Sequence, residues 1–460
     1  MKIKFGTDGW RAIIAKEFTN YNVARVTEGV VEWLKLKTTK PKVVLGFDCR
    51  FAGLQFMEEA SKVLLHHGVE VVIYNSPITT PAISLAAKEL DCDLGIIFTA
   101  SHNPASYNGY KLKGGYGGPL LAEDIALVEK HIPDSVGADY EKADLKNAQQ
   151  IDLKELYINK LRESFDLKKI NDSDLGISYD AMYGSGQFIF KEIFPNADLF
   201  RNEWNPTFYG INPEPILKNL GAYQTHLKNS ESLDFALVND GDADRIGLMD
   251  GKGNYIDSHN IMLLLLHYLH NYKKLSGKVA TGFSSTVKIA QFCKMHNLEL
   301  EIVPIGFKHI CGLMVEEDIL LGGEESGGIA VTGHIPERDG IWNGLVLLQA
   351  MLETGKSLPE LLDEIEELVG SFSFQRIDLQ IPEEKKLEIV GNCKSGNYSQ
   401  FDDWTVKRIE TLDGFKYFFN DDEWLMIRPS GTEPVLRTYA EGRTEKRANE
   451  ILAACHSAIL

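Results

Sequence analysis

Nothing in this 460-residue chain supplies a disulfide framework or a cysteine zinc site. Its six cysteines, Cys49, Cys92, Cys293, Cys311, Cys393 and Cys455, are scattered with no C-x-x-C pair, a usage that suits a reducing cytoplasm. Long apolar runs are missing too. The most notable one, residues 261–266, ends at His267 and is far too short to cross a bilayer. The opening Met1-Lys2-Ile3-Lys4-Phe5-Gly6 lacks the apolar stretch of a signal peptide. The expectation is a cytoplasmic protein with no membrane partner. Positive charge is scarce: 48 Lys and Arg against 66 Asp and Glu leave a net charge of −18. That balance argues against a general nucleic-acid partner, which would demand a basic surface. It leaves room for a small anion, because a local Arg/Lys cluster can hold a phosphate while distant charges are screened beyond roughly 8–10 Å.

What is present is a globular composition, 44% hydrophobic and 25% charged, at a length that calls for three or four domains. Strand-like apolar runs at 43–48, 69–74 and 94–98 alternate with helical stretches at 22–36 and 80–90, and a third helix ends near His67-Gly68. The alternation returns in a second block (175–180, 233–238) and a third (278–283, 300–303, 319–321). Three units of this kind predict layered α/β domains. Each ends its last strand in a polar loop. The last quarter differs, with strand-like runs at 372–379, 404–409 and 414–419 before a helix at 445–459, the pattern of a small α+β domain. The predicted boundaries give domains at 1–145, 146–255, 256–369 and 370–460.

The chemistry sits in the loops. In Phe98-Thr99-Ala100-Ser101-His102-Asn103-Pro104 a buried strand stops at a hydroxyl. Ser101 is there a nucleophile, a phosphate carrier or a turn residue bonding its own backbone. Asp240-Gly241-Asp242-Ala243-Asp244-Arg245 offers three carboxylates at alternate positions. They repel one another unless a hard cation such as Mg²⁺ gathers them, which favours a metal site over an acidic turn. The EF-hand pattern fails, since Arg245 and Gly251 stand where its Gly and Glu are required. Arg245 is placed to clamp a phosphate. Arg428-Pro429-Ser430-Gly431-Thr432-Glu433-Pro434 reads as an anion cradle or a Pro-bracketed turn, and it lacks the Gly-Lys-Ser/Thr of a P-loop. Glu324-Glu325-Ser326-Gly327-Gly328 offers acceptors suited to sugar hydroxyls, or is a solvated acidic loop. Lys111 and Lys113 are either basic groups near Ser101 or an exposed strand face. Phe5-Gly6-Thr7-Asp8-Gly9-Trp10-Arg11 reads as a loop.

With these loops in this order and at these spacings, the whole chain resembles the α-D-phosphohexomutase family, the phosphoglucomutases and phosphomannomutases. The resemblance implies three similar mixed α/β domains and a C-terminal α+β domain of the TATA-binding-protein-like class around a central cleft. It implies that Ser101 carries a phosphoryl group, and that Asp240, Asp242 and Asp244 hold one Mg²⁺ with a phosphoserine oxygen. Glu324 and Ser326 match the sugar-binding loop; Arg428, Ser430, Gly431 and Thr432 match the loop for the non-reacting phosphate. Arg11, Lys111 and Arg245 match positions lining the transfer site, with Lys111 a general acid/base candidate and His102 a loop-orienting or proton-transfer residue. The activity implied interconverts hexose 1-phosphate and hexose 6-phosphate through a hexose 1,6-bisphosphate, which also serves as activator. Glu325 favours glucose, with mannose tolerated, over the glucosamine enzymes, where Gln is usual. The alternatives are a phosphoglucosamine mutase, a phosphatase built on the same serine and metal loop, and a non-enzymatic sugar-phosphate sensor. Many relatives carry His where this chain has Gly328, so His309 and His334 stand as candidate substitutes. A monomer or homodimer is expected.

Overall fold

The computed structural model describes residues 2–6, 8–430 and 435–460. The chain forms two compact units, Met1–Leu275 with Gly306–Glu360, and Ser276–Ile305 with Leu361–Leu460.

The first unit opens with a mixed sheet built from β1 (Trp10–Ile13), β2 (Lys42–Phe47), β3 (Glu70–Ile73), β4 (Leu94–Phe98) and β5 (Tyr107–Gly114), in the order β1-β5-β4-β2-β3. β4 runs parallel to β2 and antiparallel to β5. Its five residues, Leu-Gly-Ile-Ile-Phe, are all buried, as a central strand covered on both faces requires. Helix α1 (Asn20–Lys37) starts at Thr19, whose side chain accepts the Asn22 N–H, and Val23, Val26, Val30 and Leu34 form its buried stripe. Trp10 and Arg11, at the end of the segment expected to be a loop, lie in a strand instead: Trp10–Ile13 pairs with β5, with Arg11 opposite Gly109. The two glycines and the arginine hid that alternation.

A second sheet repeats the plan. Phe235–Asn239 is parallel to Ile177–Asp180 and antiparallel to Ile246–Asp250. The loop after Phe235–Asn239 thus occupies the position in its sheet that the Ser101 loop occupies after β4. The strand Ile319–Gly323 likewise turns back antiparallel into Ile329–Val331, with the Glu324 loop between them. Three topologically matched strand ends therefore carry the three loops singled out in the sequence.

The second unit contains an antiparallel sheet that includes Ser373–Gln380, Val435–Gly442, Trp424–Pro429 and Phe415–Phe418, under the helix Glu445–Ile459. The run expected as one strand at 404–409 is broken: Trp404–Thr405 pairs with Gln400–Phe401, and Arg408–Glu410 pairs with Phe415–Phe418. The mixed α/β blocks and the α+β segment agree with the fold class read from the sequence. Among the described residues no helix is long and apolar enough to cross a membrane.

Candidate active site

Ser101 follows β4 in a left-handed backbone conformation, φ +52°. Such a conformation is disfavoured for a residue with a Cβ and persists only where its surroundings hold it. The surroundings are specific. Arg50, buried just past the end of β2, donates from Nη2 to the carbonyl oxygens of Ser101 (2.6 Å) and Asn103 (2.6 Å). Its Nη1 donates to Pro104 O (2.8 Å) and Tyr107 O (3.1 Å). The Ser101 N–H donates to Thr99 Oγ1 (2.9 Å), and that hydroxyl donates to buried Asp48 (2.5 Å). The hydroxyl of Ser101 then points at the second sheet, donating to Asp240 Oδ2 at 2.6 Å. Backbones approach closely here: a Cβ on Gly241 would lie 2.5 Å from the Ser101 carbonyl oxygen.

Asp240, Asp242 and Asp244 are buried, and one carboxylate oxygen from each lies within 4.8 Å of the others. Asp242 Oδ2 accepts from Thr80 Oγ1 (2.5 Å) and Lys111 Nζ (2.8 Å), and Asp244 Oδ2 pairs with Lys111 Nζ (2.9 Å) and Arg338 Nη2 (2.7 Å). The other oxygen of each of these two, Oδ1, is buried with no hydrogen bond among the described residues. A buried carboxylate oxygen without a donor is costly, and two of them beside a third carboxylate fit a hard divalent cation. The electrostatics agree. Burial, then the charges of Asp242 and Asp244, push the Asp240 carboxyl well above its ordinary range. Burial also opposes the charge of Asp242, but Lys111 and Thr80 outweigh it and hold that carboxyl low.

The cations surround this pocket. Lys111 is fully buried on β5 and touches Asp8 (2.9 Å), Asp242 and Asp244. Burial works against its charge, but those three carboxylates overcome it and raise the ammonium above its usual range. Lys113 is also buried and pairs with Glu337 at 2.7 Å. Both lysines thus resolve the choice left open by sequence: neither lies on an exposed face. Arg11 Nη1 donates to Asn103 Oδ1 (2.6 Å). The Arg245 N–H donates to Asp240 Oδ1 (3.0 Å), and its Nη1 donates to Glu214 (3.1 Å). His102 Nδ1 lies 3.2 Å from Ser101 Oγ. Burial, reinforced by Arg245, Arg11 and Lys111, lowers its pKa well below the ordinary value.

Glu324 is buried at the end of Ile319–Gly323 and accepts the Gly306 N–H (2.8 Å). Burial raises its carboxyl to about 7, with Arg338 opposing. Ser326 lies two residues on, half-buried in the turn. His334 Nε2 donates to Asp339 Oδ2 (2.9 Å) and the ring stacks on Trp342, so it is committed to the start of helix Gly340–Thr354. Arg428 and Ser430 belong to the second unit. There Arg428 makes a two-pronged contact with Asp413, both distances 3.1 Å, and the Ser430 N–H donates to Val435 O (2.9 Å). Gly431 and Thr432 lie outside the described residues.

The sequence reading missed Asp8, Asp48, Arg50, Thr80 and Arg338. The signal for two of them was present: Asp48-Cys49-Arg50 follows an apolar strand directly, and charged residues at a buried strand end need partners.

A hydroxyl aimed into a carboxylate pocket ringed by Arg and Lys, on matched α/β sheets, defines equipment for phosphoryl transfer. Comparisons with known proteins identify the family. Phosphoglucomutase/phosphomannomutase profiles match along the chain: α/β/α domain I at residues 2–136, domain II at 155–253, domain III at 257–368 and the C-terminal domain at 379–456. The chain belongs to the phosphoglucomutase/phosphomannomutase family, whose members are mutases. It is 28% identical to a phosphoglucosamine mutase of Latilactobacillus sakei, over 97% of this chain and 96% of that one. It is 27% identical to a phosphoglucomutase/phosphomannomutase of Thermococcus kodakarensis, again over 97% and 96%. A crystal structure from Thermus thermophilus, provisionally named a phosphomannomutase, superposes with a TM-score of 0.88 at 31% identity, covering 100% of this chain and 99% of the other.

Proposed function

We propose that this mutase interconverts hexose 1-phosphate and hexose 6-phosphate through a phosphoryl group carried on Ser101, with glucose phosphate preferred and mannose phosphate accepted. The observation that carries the reading is the Ser101 hydroxyl, fixed in a strained backbone by Arg50 and Asp48 and aimed at Asp240 beside two unpartnered carboxylate oxygens. A hydroxyl kept in that geometry by buried hydrogen bonds is pre-positioned for in-line transfer, which depends on position and charge neutralisation.

In this reading Asp240, Asp242 and Asp244, with a Ser101 oxygen, hold one Mg²⁺. When bound, that ion neutralises phosphoryl charge and polarises the reacting oxygens. Arg11 and Arg245 supply guanidinium groups toward the same phosphoryl group. Lys111 supplies positive charge there, its ammonium paired with Asp8, Asp242 and Asp244. His102 Nδ1, 3.2 Å from Ser101 Oγ, helps to orient a hydroxyl whose proton Asp240 Oδ2 accepts at 2.6 Å. The first transfer breaks the P–O bond to Ser101 and forms one to the free sugar hydroxyl, whose proton passes to the departing Ser101 oxygen, giving a hexose 1,6-bisphosphate. The second returns the other phosphoryl group to Ser101. Glu324 and Ser326 accept from sugar hydroxyls, and Arg428 with Ser430, Gly431 and Thr432 holds the non-reacting phosphate. The buried cysteines suit a cytoplasmic setting.

A phosphoglucosamine mutase is the second reading, favoured by the amino-sugar mutase among the relatives. The test is turnover of glucose, mannose and glucosamine phosphates followed by phosphorus NMR, with and without glucose 1,6-bisphosphate. Isomerisation with conserved phosphate, stimulated by the bisphosphate and lost in Ser101→Ala, is expected. Release of inorganic phosphate as the main product would replace the mutase with a phosphatase.

A further inference from the structure

Gly328, the last residue of the Glu324 loop, does not have the left-handed backbone that would require glycine. A side chain there is barred by one neighbour. A Cβ on Gly328 would lie 2.5 Å from Cδ and 3.2 Å from Cγ of Arg338, with Glu324 Oε2 next at 3.7 Å. Arg338 therefore fills the space that a side chain at 328 would take. It is itself 5% exposed, with its guanidinium over the Phe307 ring at 5.3 Å. From that seat Nη2 reaches both Asp8 Oδ2 and Asp244 Oδ2. Lys111 Nζ touches the same two oxygens, each at 2.9 Å, so two cations and two carboxylates close a ring of alternating charge. Holding Asp244 by Oδ2 leaves its Oδ1 as the unpartnered oxygen.

We propose that Arg338 is a positioning residue of the transfer centre, seated by the bare Cα of Gly328, and that its charge rather than its bulk is what the reaction requires. The inference rests on the phosphoryl-transfer reading above. A phosphoryl group must approach a pocket lined by Asp8, Asp240, Asp242, Asp244 and Glu324, where each uncompensated negative charge opposes it. Arg338 compensates Asp8 and Asp244 together, and its flat, forked guanidinium spans both.

The test compares charge with volume at this contact. Transfer of phosphate from glucose 1,6-bisphosphate to Ser101 is followed by intact mass in a single turnover, beside the melting temperature. Arg338→Ala should slow transfer about 100-fold, the scale of losing a preorganised charge at such a site. Adding Gly328→Lys to it returns a cation from the other side of the contact; Gly328→Met returns similar bulk without charge. The Lys double variant should recover transfer at least about tenfold, while the Met double variant recovers melting temperature alone. Should Arg338→Ala fail to fold, Arg338→Lys against Arg338→Met makes the same comparison. Wild-type transfer in Arg338→Ala, or a Lys variant no faster than its Met counterpart, would overturn the inference. A wild-type protein that takes up no phosphoryl group would overturn the transfer reading and this inference with it.

Discussion

Arg50 holds Ser101 through its backbone: one guanidinium nitrogen lies 2.6 Å from the Ser101 carbonyl oxygen, and the same side chain binds three more carbonyls of that loop. The nucleophile candidate is thus fixed from a neighbouring strand end as well as by Thr99 in its own turn. Replacing Arg50 by Leu removes the guanidinium from these four carbonyl oxygens and the positive charge 3.4 Å from buried Asp48, a loss of about 3 kcal/mol or more in stability. Arg50→Lys keeps the charge but not the fork, and its transfer rate should fall by at least about tenfold with KM little changed. Chemical denaturation and steady-state kinetics on both variants check this; wild-type kcat in Arg50→Lys would contradict it.

The cation site can be read without any substrate. Mg²⁺ that binds only the native fold raises stability by mass action, about 2.7 kcal/mol at a hundredfold excess over Kd. The wild-type melting temperature should rise with Mg²⁺ and return on chelation, and Asp242→Asn should lose most of that rise. An equal rise in the variant would remove Asp242 from the ligand set.

Gly241 packs its Cα against the Ser101 carbonyl oxygen, where a Cβ would sit at 2.5 Å. Gly241→Ala must push the serine loop and the aspartate loop apart. Because rate depends on the alignment of those two loops, kcat should drop by about tenfold or more while the circular dichroism spectrum stays native. Unchanged kcat would show that their spacing is not critical.

Glu324 gives a pH signature. Burial raises its pKa from 4.5 to about 7 in the folded protein. The native state therefore holds a proton that the unfolded chain gives up, so this residue's contribution favours folding below about pH 4.5 and is lost as pH rises toward 7. The loss is on the order of 3 kcal/mol. Glu324→Gln should flatten the decline in denaturation free energy across that window. A parallel decline in both proteins would mean that another group drives it.

The three matched strand ends were legible because each apolar run stops abruptly at polar residues, and Ser101, Asp240 and Glu324 all lie within three residues of such a stop. The buried cations were harder. Lys111 and Lys113 alternate with Tyr110 and Leu112 as residues on a solvated strand would, and only the carboxylates brought in from distant loops make their burial tolerable. Arg338 had no local signature, since its partners Asp8, Asp244 and Gly328 are separated from it in sequence by up to 330 residues. Spacing along a chain cannot show which charges meet across it.

The most direct measurement is the intact mass of the protein after brief exposure to glucose 1,6-bisphosphate. A gain of one phosphoryl group is expected, mapped to Ser101, absent from Ser101→Ala, and lost again when hexose monophosphate is added. A phosphoryl group on another residue, or undiminished isomerisation by Ser101→Ala, would contradict it.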